Sequence, residues 1–170
     1  MQNIHETSLV KSVALERLSW TRGFAERILA GVPDDALVRR AGGRGNHALW
    51  VMGHLAWVED DILAMLTGCA RLMSKRDVAL FAGGSEPSAS AADYPSRDEL
   101  LTAMRLHRRR FETWVQSLDG ESMHAPTPDG FRPFAPDAIT TAFGAAAHEM
   151  LHAGQVVAVR ASLGLPRLLN

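Results

Sequence analysis

The sequence contains little of what marks secreted, membrane-spanning or nucleic-acid-binding proteins. Its single cysteine, Cys69, cannot form a disulfide within the chain, and no stretch approaches the roughly eighteen uninterrupted apolar residues of a membrane span. The formal net charge of -1 gives no overall attraction to nucleic acid or to an anionic membrane. Residues 1–6 show no signal-peptide pattern. We therefore predict a cytoplasmic protein that acts on a small molecule, with no nucleic-acid and no membrane partner.

Apolar residues recur at helical spacing in four segments of the 170-residue chain. The predicted helices extend from the capping signal Thr7-Ser8 to Gly31, from Asn46 to Gly68, from the capping box at Ser96 to Asp119-Gly120, and from about Asp137 to Leu163. The segments 72–95 and 121–136 are rich in Gly, Ser, Ala or Pro and are predicted to be long loops. No run alternates with period two, so we predict an all-α fold, a four-helix bundle with long crossover loops, as a single domain over residues 1–170. The four tryptophans are expected in its core.

Two histidines one helical turn apart, His148 and His152, are the most informative feature of the sequence. Side chains at positions i and i+4 project from the same helix face and can bind one metal ion. A third histidine, His54, lies in the second predicted helix, between two tryptophans in angle, and is expected to point inward. Three imidazoles leave one coordination position open, as in reactive metal sites, whereas structural zinc sites usually have four protein ligands.

The string from His148 to His152 also matches the H-E-x-x-H pattern of zinc peptidases, in which the glutamate is the general base. Those peptidases take their third ligand downstream, but the eighteen residues after His152 contain no Asp, Glu, His or Cys. The third ligand must therefore lie upstream, which weighs against a peptidase. An accidental histidine pair on an amphipathic helix is the remaining alternative.

Two further residues of the last helix are candidate catalytic residues. Gln155 lies on the ligand face, where its amide is placed either to orient an imidazole or metal-bound water, or to form a plain interhelical hydrogen bond. Glu149 is rotated by about 100° around the helix axis from His148. It is therefore expected either to hydrogen-bond to a ligating imidazole from outside the coordination shell or to form a salt bridge, and a role as a base is the minority alternative. Gly154 is expected to permit the close approach of another helix, because glycine in a helix costs about 1 kcal/mol relative to alanine.

The charged runs are given no functional role. Residues 59–61 are expected to form a solvated acidic cluster, and the basic run 105–110 a solvated helix face. His47 lies on the same face as His54 but about 10.5 Å along the helix axis, too far to be a ligand of the same ion. It is expected at the surface near the cap, or at the rim of a pocket.

Three motifs give the chain a resemblance to the DinB-like (YfiT-like) superfamily of metal-dependent enzymes. They are Gly53-His54-Leu55-Ala56, His148-Glu149-x-x-His152-x-Gly154-Gln155 and Leu163-Gly164-Leu165-Pro166. The resemblance implies a four-helix bundle, often dimeric, with a divalent metal on His54, His148 and His152, and some members transfer bacterial low-molecular-weight thiols. Ala153 stands where members often have arginine, so this chain lacks that arginine for binding a substrate anion there.

Together, residues and resemblance predict a homodimeric enzyme with one divalent transition-metal ion, a thiol S-transferase or a hydrolase. Zinc or nickel is expected, with iron and manganese as alternatives. A metal ion of this kind lowers the pKa of bound water to about 7 in favourable zinc sites, which generates a nucleophile at neutral pH. The alternatives are a non-enzymatic, metal- or small-molecule-binding stress-response bundle and the H-E-x-x-H peptidase.

Overall fold

The computed structural model of the chain describes residues 4–168, and within that range it contains helices and no β-strand. The all-α prediction is therefore confirmed. The α-helices of this range are α1 (Ile4–Ala30), α2 (Ala48–Thr67), α3 (Lys75–Phe81), α4 (Arg97–Ser117) and α5 (Ala138–Ser162). No helix in the described range is both long and apolar enough to cross a bilayer.

Capping residues explain several of the helix ends. Ser96 forms the predicted capping box with Glu99, and Asp137 forms another with Thr140, so the predicted starts of α4 and α5 are confirmed. α2 ends at Gly68, whose φ of +71° is the left-handed conformation that glycine adopts most easily.

Two predicted helix starts are wrong. α1 begins at Ile4, so Thr7 and Ser8 lie inside the helix. A capping residue contributes only about 1 kcal/mol, and continuing the helix through the preceding residues outweighs it. α2 is capped by His47, not by Asn46: the Nδ1 atom of His47 accepts a hydrogen bond from the Trp50 amide at 3.2 Å. His47 is fully buried, so its expected position at the surface or pocket rim is also wrong.

The segment 72–95, predicted to be a loop throughout, contains the seven-residue helix α3. Ser74 and Asp77 form its capping box, and Phe81 at its end is fully buried. The Phe81 ring packs against α2 at Gly53, where a Cβ atom would overlap the ring. The predicted close approach at Gly154 is wrong, because that glycine is exposed and a Cβ there would meet no atom within 4 Å.

The four long helices share two hydrophobic clusters that are separated by a layer of buried charge. The first cluster includes Ile28, Met52, Phe81, Met104 and Val156, and the second includes Leu18, Ile62, Phe111, Val115 and Ala142. Between them lie Arg22 of α1, Glu59 of α2, Arg108 of α4 and Glu149 of α5, each at most 6% exposed. Each long helix therefore contributes a buried charged residue to the layer between the two clusters.

The predictions for the charged runs and for one tryptophan are wrong. Glu59, Asp60 and Arg108 are buried rather than solvated, because their charges pair between helices. His107 is buried as well, with its Nδ1 atom 3.4 Å from a carboxylate oxygen of Asp60. Trp20 is 51% exposed and does not belong to the core, whereas Trp50 is buried as predicted.

Candidate metal centre

The three histidines singled out in the sequence converge at one point between α2 and α5. The Nε2 atom of His148 lies 3.4 Å from Nε2 of His54 and 3.0 Å from Nε2 of His152. The ligand atoms of the three rings lie within 4.8 Å of one another. Helix spacing places His148 and His152 on one face of α5, and packing of α2 against α5 brings His54 to them.

Hydrogen bonds at the far side of two rings orient them toward this point. Nδ1 of His54 lies 2.8 Å from the Phe81 carbonyl oxygen, which can only accept, so this Nδ1 carries the proton. Nδ1 of His152 lies 3.0 Å from Oε1 of Gln155, and the Asn46 amide donates to the same oxygen at 3.0 Å. The Nε2 atoms of His54 and His152 are thus left as unprotonated lone-pair donors.

Two indole rings enclose His54. Trp50 stacks on its imidazole with ring centroids 4.3 Å apart and an interplanar angle of 15°. Trp57 also stacks on this imidazole, with ring centroids 5.5 Å apart and an interplanar angle of 29°. Trp50 is held in turn by Ser85, whose hydroxyl accepts a hydrogen bond from the indole at 2.9 Å. The rings exclude water from one imidazole and restrict its rotation.

Burial keeps these imidazoles neutral. Burial, together with the charge that would arise on His152, lowers the pKa of His54 and of His148 to about 4. The pKa of His152 is also lowered by burial, against the opposing effect of its hydrogen bond with Gln155. At neutral pH all three rings therefore have the charge state that metal ligation requires.

This donor set fits a divalent transition metal. A tetrahedral ion at about 2.0–2.1 Å from each nitrogen would place the nitrogens roughly 3.3–3.4 Å apart, close to the observed separations of 3.0 and 3.4 Å. Three neutral imidazoles, two of them held by outer hydrogen bonds, with one open position are typical of catalytic rather than structural metal sites.

Glu149 does not lie with the imidazoles. Its carboxylate is fully buried and accepts hydrogen bonds from Arg22, Arg108 and Thr21. These contacts favour the salt-bridge alternative for Glu149, although its salt bridges to Arg22 and Arg108 are buried rather than on an exposed flank of the helix. A base role for Glu149 stays a prediction without a supporting contact.

Some parts of the site lie outside the sequence prediction. Asn46 was assigned to a helix cap, yet it supports Gln155. The Phe81 carbonyl comes from α3, a helix that the sequence analysis did not predict. The spacing of Trp50 and Trp57 around His54, at i-4 and i+3, did carry a signal, because it places both indoles on the face of His54.

The family model described as the DinB superfamily matches residues 17–156, which include the three histidines and Gln155. No curated protein matches the chain.

Proposed function

We propose that this chain, which belongs to the DinB superfamily, is a metal-dependent enzyme in which His54, His148 and His152 hold one divalent transition-metal ion. The observation that carries the proposal is the convergence of three Nε2 atoms, from the buried His54 and His152 and the partly exposed His148, at 3.0 and 3.4 Å. These separations are close to those between the ligand nitrogens of one tetrahedral ion, which is the reason for proposing that the three rings share a metal.

The donor chemistry restricts the choice of metal without fixing it. Three neutral imidazoles suit zinc and nickel, and they accept iron or manganese less well because those ions favour added carboxylate ligands. We propose zinc or nickel as the resident ion.

The proposed reaction is thiol S-transfer or hydrolysis. An ion held by three neutral ligands would lower the pKa of a thiol or a water molecule bound to it, and so supply a nucleophile at neutral pH. The chain's own residues provide the setting: Trp50 and Trp57 exclude water from His54, and Gln155 fixes the orientation of His152. The superfamily resemblance supports a low-molecular-weight thiol as the substrate.

The contacts of Glu149 weigh against the peptidase alternative. A peptidase of the H-E-x-x-H type needs this carboxylate free to accept a proton from water. Here it is fully buried and hydrogen-bonded to two guanidinium groups and a hydroxyl.

The test begins with protein purified without a nickel column. Elemental analysis should find close to one divalent ion per chain, and His54→Ala should lose it. His124→Ala, which removes an exposed histidine outside the cluster, is the control and should keep it. Metal-free, metal-loaded and His54→Ala proteins are then compared on a panel of bacterial thiols with electrophiles, and on activated esters and amides, at several pH values. Turnover by the loaded protein alone supports an enzyme. Stoichiometric metal with equal rates in all three samples would instead indicate the non-enzymatic binding protein.

We further propose that the protein forms a homodimer. The packed pair α1 and α5 exposes several large apolar side chains, among them Leu9 at 65%, Trp20 at 51%, Leu151 at 64% and Val157 at 45%. The exposed side of α5 from residue 143 to 158 has no charged residue. Two-fold dimers are the commonest closed assemblies, and this surface suits self-association.

A further inference from the structure

The carboxylate of Glu149 is the point at which α5 is attached to two neighbouring helices by hydrogen bonds. Oε1 accepts from Nε of Arg22 at 2.6 Å. Oε2 accepts from Nη2 of Arg108 at 2.9 Å and from the Thr21 hydroxyl at 2.8 Å. α1 and α4 therefore both hold this one side chain, which immediately follows His148.

The two arginines extend the attachment to the fourth long helix. Glu59 of α2 accepts from Arg22 at 3.1 Å and from Arg108 at 2.6 Å, and each guanidinium also donates to a backbone carbonyl. The charges of Glu59 and Glu149 hold the pKa of Arg108 above its ordinary value, although burial alone would lower it. Two positive and two negative groups thus form a neutral network that links α1, α2, α4 and α5.

Apolar packing alone defines the rotation of α5 weakly. Of the twelve buried residues of this helix, five are alanines, namely Ala138, Ala142, Ala145, Ala146 and Ala153. Methyl side chains make shallow ridges, so helix packing across them discriminates poorly between neighbouring rotations. Buried polar groups discriminate strongly, because a small rotation leaves them unpaired.

The metal centre is sensitive to this rotation. An atom at the edge of a helix lies about 5–6 Å from its axis, so a rotation of about 20° moves it by about 2 Å. Metal–ligand distances tolerate deviations of only about 0.2 Å. His148 and His152 can meet His54 only if the rotation of α5 is fixed.

We propose that Glu149 is a positioning residue: its pairing with Arg22 and Arg108 fixes the rotation of α5 and so directs His148 and His152 at His54. Testing this role by measuring zinc affinity rests on the proposed function, namely that the three histidines bind a metal ion. In this assignment the glutamate of the H-E-x-x-H string acts away from the reacting atoms, through the helix that carries both ligands.

Two double variants test the proposal. Arg22→Met with Glu149→Met removes the attachment of α5 and leaves Glu59 with Arg108. Glu59→Met with Arg108→Met also removes one positive and one negative group from this layer, and with them the Arg108 contact of Glu149. It keeps the other two contacts of Glu149, with Arg22 and Thr21, which hold α5 to α1. Replacing a whole buried ion pair by apolar residues of similar size is often close to neutral for stability, so both proteins should fold. Urea unfolding and circular dichroism check this.

The zinc dissociation constant of each protein is measured by competition with a chromophoric chelator, and the cobalt-loaded forms are compared by visible absorption. Removing the attachment should weaken zinc binding by about tenfold or more and alter the cobalt spectrum, whereas the control should stay within about threefold of the wild type. Equal weakening in both variants would indicate a general effect of core stability and would overturn the proposal, as would unchanged affinity in both.

Crystal structures of the metal-free wild type and of both variants provide a readout that does not need metal. The proposal requires a rotation of α5 in the Arg22→Met, Glu149→Met protein that is absent from the control. If the wild type binds neither zinc nor nickel, the proposed function fails, and these structures still decide whether Glu149 positions the helix. An unrotated α5 overturns the proposal.

Discussion

Acid should destabilise the metal-free protein through its buried imidazoles, and His54→Gln should remove part of that sensitivity. Burial, together with the charge that would arise on His152, lowers the pKa of His54 to about 4 from an ordinary value of 6.5. Well above pH 6.5 the ring is neutral in the folded and the unfolded chain, so it contributes nothing to the pH dependence there. As the pH falls from 6.5 toward 4, the unfolded chain binds a proton that the folded chain does not. Unfolding is therefore favoured, and the loss levels off below about pH 4.

The two pKa values of the ring, folded and unfolded, determine how much unfolding free energy is lost on acidification. A pKa of about 4 against 6.5 corresponds to about 3.4 kcal/mol when protonation is complete, and to about 2 kcal/mol at about pH 5. His148, whose pKa is also about 4, adds a similar but smaller amount, because it is partly exposed. The metal-free wild type should thus lose on the order of 3–4 kcal/mol of its unfolding free energy between about pH 7.5 and about pH 5.

The assay is urea unfolding of chelator-treated protein at these two pH values. His54→Gln should lose about 2 kcal/mol less than the wild type on acidification. Val115→Ala, which removes two buried methyl groups from the second hydrophobic cluster, is the control. It should lower stability by about 1–3 kcal/mol at both pH values alike. If His54→Gln loses as much stability on acidification as the wild type, the imidazole is not kept neutral by its burial and the reasoning is wrong.

Three further outcomes follow from the structure. Gly53→Ala would place a methyl group where the Phe81 ring lies, so it should reduce the unfolding free energy by about 1–3 kcal/mol. It should also weaken zinc binding, because it displaces the Phe81 carbonyl oxygen that accepts the hydrogen bond from His54. An unchanged unfolding free energy and an unchanged zinc affinity would contradict this. His148→Ala should lose stoichiometric metal in elemental analysis while circular dichroism stays helical, because the helices rest on apolar packing, and full metal content would exclude His148 as a ligand. Leu151→Glu should convert the proposed homodimer to a monomer in sedimentation analysis, and a wild-type monomer at micromolar concentration would refute self-association.

The parts of the fold that local chemistry determines could be predicted from the sequence. The capping box at Ser96 spans only four residues of the chain and was predicted, and the structure contains it. The start of the last helix at about Asp137 was also predicted, although the capping box that Asp137 forms with Thr140 was not. The pairing of His148 with His152 follows from helix periodicity alone. The inward direction of His54 was readable from the two tryptophans beside it, and the structure stacks both on its ring.

The burial of charge could not be predicted in this way, because its cause is distant in sequence. Glu59 and Arg108 are separated by 49 positions, and their charges are buried because each pairs with partners on other helices. Taken singly, each run of charge has the composition of a solvated helix face. Only the packing of α2 on α4 decides otherwise.

The helix α3 and the role of Asn46 at the metal centre could not be predicted for the same reason, because both depend on residues distant in sequence. A seven-residue helix is too short to be stable by propensity, and α3 depends on burial of Phe81 against Gly53. Asn46 has the chemistry of a helix cap, and only the approach of α5 gives its amide Gln155 as a better partner.

The layer of buried charge gives the protein an unusual response to salt and heat. Exposed ion pairs such as Arg105 with Glu26 weaken as ionic strength rises, because the screening length in physiological salt is about 8 Å. The layer around Glu149 is shielded from those ions, so concentrated salt should leave the connection between the helices intact. Heating reduces the penalty for removing ions from water. The buried ion pairs should therefore contribute a growing share of the remaining stability as the temperature rises.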